Sequence, residues 1–124
     1  MPTRRLAEPA SKNEVAKRYL NEIRNSKVFL PTENKNCYNS YHIFCVRINN
    51  DTRENFQDYL NKHGITTIIH YPIPIHETSI FDHSDTVYSS SLTDQYKDKI
   101  VSLPMHPYLN DKEITFIIDK INKF

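Results

Sequence analysis

GITTIIHYPIPIH, residues 64–76, holds the chain's single glycine, a β-branched run and then two histidines and a tyrosine set among prolines. Five β-branched residues in a row, Ile65 to Ile69, suit a pleated surface packed on both faces and predict a buried strand. Pro72 and Pro74 then end it. Each proline fixes its own φ, removes a backbone donor and pushes the residue before it toward extended geometry. The expected product is a stiff arm that holds His70, Tyr71 and His76 at set positions. On the upstream side, Gly64 is read as the left-handed cap of a helix.

That helix runs back from Lys62 and His63 through an inner face of Phe56, Tyr59 and Leu60, with Asp51 and Glu54 as its expected capping pair. Before it, Tyr41 to Ile48 is apolar on both faces, the pattern of a central strand covered on both sides. Residues 31–40, PTENKNCYNS, are loop formers. From Lys12 to Arg24, Val15, Tyr19, Leu20 and Ile23 form one stripe of an amphipathic helix. Residues 1–11 lack periodicity and read as a loose N-terminal arm, with the folded domain spanning 12–124.

Downstream of the arm, residues 77–91 form a polar loop containing Asp82, His83 and Asp85. Leu92 to Lys99 predicts a short helix and Ile100 to Leu103 a short strand stopped by Pro104. Asn110 and Glu113 have capping-box spacing, Leu109 and Ile114 can close a hydrophobic staple, and Ile114, Ile117, Ile118 and Ile121 complete a helical stripe. This order predicts an α/β fold, an α+β two-layer sandwich with a small, mostly antiparallel sheet and helices packed on it.

A chain of 124 residues can bury a real core without disulfides or metal. Its formal net charge of +1 supplies no basic field for a nucleic-acid backbone. One glycine cannot build a Gly-rich phosphate cradle. No apolar run is long enough to cross a bilayer, and residues 1–10 are too charged for a signal peptide, so a soluble cytoplasmic protein is expected. Cys37 and Cys45 match no zinc-ligand spacing and read as free thiols. His70 and His76 with Asp82, His83 or Asp85 could form a mixed metal site, but the context that makes such a site specific is missing, and no metal is expected. His106, between two prolines, reads as a turn residue. Neither a nucleophile–base pair nor a carboxylate pair stands out, so no catalytic residue is assigned. For His70 and Tyr71 the plain alternative is structural hydrogen bonding at a strand end. Their placement on a rigid segment favours binding.

The runs YHIFCVRI, HGITTIIHYPIPIH and IVSLPMHPYLNDKEITFIIDKI resemble, in order and spacing, the C-terminal region of the DegT/DnrJ/StrS family of pyridoxal-phosphate-dependent sugar aminotransferases. HYPIPIH at 70–76 and SLPMHP at 102–107 are the most specific parts, and the first looks most like members acting on nucleotide-linked 3-keto-6-deoxyhexoses. The resemblance implies the small C-terminal domain of a type I aminotransferase fold, with His70 and Tyr71 facing the active-site cleft to hold a sugar nucleotide and His76 supporting them. It also implies that the Schiff-base lysine and the other pyridoxal phosphate contacts lie in a preceding large domain, so this chain alone is expected to bind no cofactor and to be inactive. Full-length members of the family are usually homodimers. The alternative expectation is a free-standing, non-catalytic interaction module with the same fold.

Overall fold

The computed structural model describes residues 11–81 and 91–124. Its framework is a three-stranded antiparallel sheet in the order β1 (Val28–Phe29), β2 (Phe44–Ile48), β3 (Ile100–Leu103). Around it stand α1 (Lys12–Glu22), α2 (Arg53–Lys62), the short α3 (Ser91–Tyr96) and α4 (Asp111–Asn122). Helices on a small antiparallel sheet are the architecture expected from the element order.

Strand register sorts the sheet into two faces. Phe44 lies opposite Leu103 and Val46 opposite Val101, and these side chains, with Ile48, are buried in one cluster with Val15 and Tyr19 of α1, Phe56 and Leu60 of α2, and Ile114, Ile117, Ile118 and Ile121 of α4. The other face carries Cys45 opposite Ser102 and Arg47 opposite Ile100. Cys45 and Arg47 are only half-buried, so the two-sided cover expected for 41–48 is incomplete. In place of apolar packing, the Arg47 guanidinium sits 4.6 Å from the Phe29 ring centre and 4.2 Å from that of Tyr96.

Local chemistry explains most element boundaries. Ser11, the last residue of the expected arm, caps α1 through a capping box with Glu14. Asn110 and Glu113 do the same for α4, as their spacing predicts. For α2 the cap moves one residue from the expected Asp51: Thr52 has the extended backbone a cap requires, and its hydroxyl accepts from Asn55 N at 3.1 Å. Asp51 instead accepts from Thr52 N and Asn55 Nδ2 and pairs with Lys27 at 3.2 Å. Gly64 has φ +76°, the left-handed cap its position implied.

Three further features depart from the expectations. The strand at 41–48 begins at Phe44, because Tyr41 takes a left-handed φ of 49° and turns the chain. Its ring is nevertheless buried, stacked 5.8 Å from Phe44 and hydrogen-bonded to Glu33. The buried strand expected over 65–69 reduces to a single antiparallel bridge between Ile68 and Ser102. Ile65 is buried but Ile68 is 56% exposed, because β3 offers this segment one edge partner and no described strand pairs with its far side. Val28–Phe29 pairs with Ile48 and Arg47 as an edge strand that the sequence pattern does not announce.

Candidate functional site

The arm leaves the sheet at the Ile68–Ser102 bridge, where Ile68 N donates to Ser102 O at 3.2 Å and Ser102 N donates to Ile68 O at 2.7 Å. Two residues on, His70 Nδ1 lies 2.9 Å from Ser102 Oγ, in hydrogen-bond contact. Backbone and side chain of one buried serine therefore fix both the start of the arm and its first imidazole. The Tyr71 ring meets that of His70 edge to face, with centres 5.3 Å apart, and is 73% exposed. Pro74 then leads into a 3₁₀ turn, Ile75–Glu77, closed by Glu77 N donating to Pro74 O and Thr78 N donating to Ile75 O.

That turn sets His76 and Glu77 against α3. His76 Nε2 lies 2.8 Å from Asp94 Oδ1, and Lys97 Nζ donates to Glu77 Oε1 at 2.5 Å. The hydrogen bond that Lys97 donates to Glu77, with the field of Glu77, Asp94 and Asp98 added, raises its ammonium above its ordinary pKa.

Two cavities flank the arm. The smaller, about 470 Å³, lies between the arm and α3, and all three sequence-predicted residues, His70, Tyr71 and His76, line it. Tyr96 and Lys97 form part of its opposite wall. The larger, about 750 Å³, lies between the end of the sheet, the 102–109 segment and α4. Of the three it takes only His70, together with Ser102, His42, His106 and Phe116. Size alone favours the larger space, but the polar groups of the arm converge on the smaller one. His106, expected as a turn residue, accepts from Leu109 N through its carbonyl at 3.4 Å while its exposed ring lines the larger cavity.

Ser102, Asp94 and Lys97 are partners that the sequence reading did not single out. Only the i, i+3 spacing of Asp94 and Lys97 hinted that they share a helix face. Asp82, His83 and Asp85, weighed as metal ligands, lie outside the described residues. Among the described residues, donor atoms of His76, Glu77 and Asp94 fall within 4.8 Å of one another. Lys97 neutralises one of those carboxylates and His76 bonds the other, so the group reads as a clasp of one ion pair and one hydrogen bond.

Residues 5–122 match the DegT/DnrJ/EryC1/StrS aminotransferase family. The chain is 33% identical over 113 residues to a dTDP-3-amino-3,6-dideoxy-alpha-D-galactopyranose transaminase of Aneurinibacillus thermoaerophilus, covering 91% of this chain and 30% of that protein. It superposes on a DegT DnrJ EryC1 StrS aminotransferase from Brucella abortus with a TM-score of 0.79 at 24% identity, over 91% of this chain and 30% of the other. The PLP form of the putative sugar aminotransferase Spr1654 from Streptococcus pneumoniae gives 0.72 at 19% identity, again over 91% and 30%. The chain thus spans about 30% of the length of the relatives it matches. With the family match running through nearly all of it, the chain belongs to the DegT/DnrJ/EryC1/StrS aminotransferase family.

Proposed function

We propose that this chain supplies the sugar-nucleotide recognition wall for transamination of a keto-deoxyhexose linked to a nucleoside diphosphate, and performs no chemical step itself. The observation that carries this reading is the convergence of His70, Tyr71 and His76 on one cavity from a single rigid arm. Imidazole and phenol groups can donate to and accept from sugar hydroxyls and phosphate oxygens, and an exposed tyrosine ring offers a flat apolar surface beside them. Proline-set backbone limits the entropy lost when such a ligand is held. The transaminase activity of the 33%-identical relative on a dTDP-linked amino sugar supports the substrate class.

Pyridoxal phosphate supplies the electron sink in reactions of this kind, and it needs a lysine, a carboxylate at its ring nitrogen and donors to its phosphate. The described residues do not fit it. In the larger cavity the only lysine on the wall is the exposed Lys112, no aspartate is present, and Glu113 is engaged in the cap of α4. In the smaller cavity the only lysine, Lys97, is paired with Glu77. We therefore assign the cofactor to other parts of the working enzyme, and this chain to recognition. None of the described helices is long and apolar enough to cross a membrane, and we place the activity in the cytoplasm.

Nuclear magnetic resonance titration of the chain with a dTDP-linked 6-deoxyhexose should shift the His70, Tyr71 and His76 signals. Absence of any response there at millimolar ligand would overturn the recognition role. An imine absorbance formed with pyridoxal phosphate and traced to one lysine would overturn the cofactor assignment.

A second reading, a non-catalytic interaction module, draws on the exposed Ile73, Ile75 and Leu92 around the same cavity. It requires the sugar nucleotide to leave the arm unmoved.

A further inference from the structure

We infer that Asp94, backed by Lys97, is a positioning residue for the arm: the pair clasps the 75–77 turn onto α3 and so sets where Tyr71 and His70 stand. The part of this that concerns substrate rests on the recognition role proposed above; the clasp itself does not.

The clasp has a traceable anchor. Arg53, at the start of α2, is buried, and its Nη1 donates to Lys97 O at 2.8 Å and to Ile100 O at 3.3 Å, tying the end of α3 to the core. Arg47 of β2 holds the Tyr96 ring from the sheet side. A six-residue helix with so few turns of its own has little intrinsic stability, so these ties help to keep α3 in place. From that seat Asp94 reaches His76 and Lys97 reaches Glu77, one contact on each of two consecutive arm residues. Two contacts on neighbouring residues restrain rotation of the turn as well as its distance from α3.

At its other end the arm is held by the Ile68 bridge and the His70–Ser102 contact. Residues 71–75 therefore span two fixed points. Tyr71, Ile73 and Ile75 between them are all exposed, and no apolar burial of these side chains holds the span down. Among the described residues, polar contacts at the two ends set its position, and the Asp94 end is the one that a surface substitution can release without disturbing the core.

The test is amide hydrogen exchange on the intact chain for Asp94→Ala, Lys97→Met and the double variant. Exchange at Glu77 and Thr78, whose amides close the turn, should quicken about fivefold in Asp94→Ala and about tenfold in the double variant, the range open to one partly exposed ion pair and one exposed hydrogen bond. Exchange at Ile48 and Leu103 and the urea midpoint should stay at wild-type values. The nitrogen shift of His76 Nε2 should also move in Asp94→Ala, a signature that general loosening would not give. Unchanged exchange at Glu77 and Thr78 in the double variant, or an unmoved His76 Nε2 in Asp94→Ala, overturns the inference. The sugar-nucleotide titration is a separate arm. If exchange and the His76 shift respond while wild-type Tyr71 ignores the ligand, the clasp stands and the recognition role falls.

Discussion

Gly64 shows what one residue decides at the entrance to the arm. Its φ of +76° is left-handed, and a Cβ built there meets no atom within 4 Å, so the position demands backbone freedom and leaves space to spare. Gly64→Ala should therefore cost about 1–2 kcal/mol, the usual penalty for an L-residue in that region, with no added clash. Gly64→Asn should cost less, because asparagine visits the left-handed region more readily. Urea unfolding of the two variants measures both. At Ser102, removal of the hydroxyl takes away the side-chain partner of His70 but leaves the backbone bridge to Ile68. Ser102→Ala is expected to move the His70 imidazole signals while the amide signals of β2 keep their positions. Gly64 was legible in sequence because its role is local. Ser102 was not, since its contact with His70 joins residues 32 apart in the chain.

Elements whose signals are local were read well. The α4 stripe and its capping box lie within consecutive residues, and Asn110→Ala should cost about 1 kcal/mol, measurable as a lower urea midpoint. The β-branched run at 65–69 was overread, since such residues report a preference for extended backbone and say nothing of how many strands lie alongside. β1 escaped notice because two residues have no period. The tyrosines of the core make a further difference between elements measurable. Tyr41 is pushed from an ordinary 10.0 up to about 12, first by burial and then by the hydrogen bond to Glu33. Burial also raises the Tyr19 phenol, whose hydroxyl donates to Pro104 O at 2.7 Å. Both groups stay neutral in the folded chain at a pH where the unfolded chain ionises. Both contributions are complete below pH 10; that of Tyr41 is lost as pH rises from 10 through 12, and that of Tyr19, raised further by burial, falls over the same range and beyond it. Urea midpoints should fall across that window, and Tyr41→Phe should flatten the fall.

At the scale of the whole molecule, one cluster of buried side chains links α1, α2, α4 and the inner face of the sheet, while the outer face is held by an arginine between two rings and by polar contacts to the arm and α3. The layers were legible because periodicity marks buried faces. The arm's docking was not, because His76 meets Asp94 and Glu77 meets Lys97 across 18 and 20 residues with no pattern linking them. On the proposed function, this division of labour separates stability from recognition, and substitutions on the two faces should show it. Phe44 is fully buried and touches the rings of both Tyr19 and Tyr41. Phe44→Ala should cost about 3–5 kcal/mol, a large share of the roughly 5–15 kcal/mol that holds a domain of this kind folded. Lys97→Met, on the proposed recognition side, removes one partly exposed ion pair and should leave the midpoint close to wild type. Urea unfolding followed by far-ultraviolet circular dichroism and by tyrosine fluorescence would measure both costs, the chain having no tryptophan. Coincident transitions with a sharply lowered midpoint for Phe44→Ala and a near wild-type midpoint for Lys97→Met are expected. A comparable drop in both would mean that the arm and α3 belong to the cooperative core, and that the proposed recognition wall cannot loosen unless the domain unfolds.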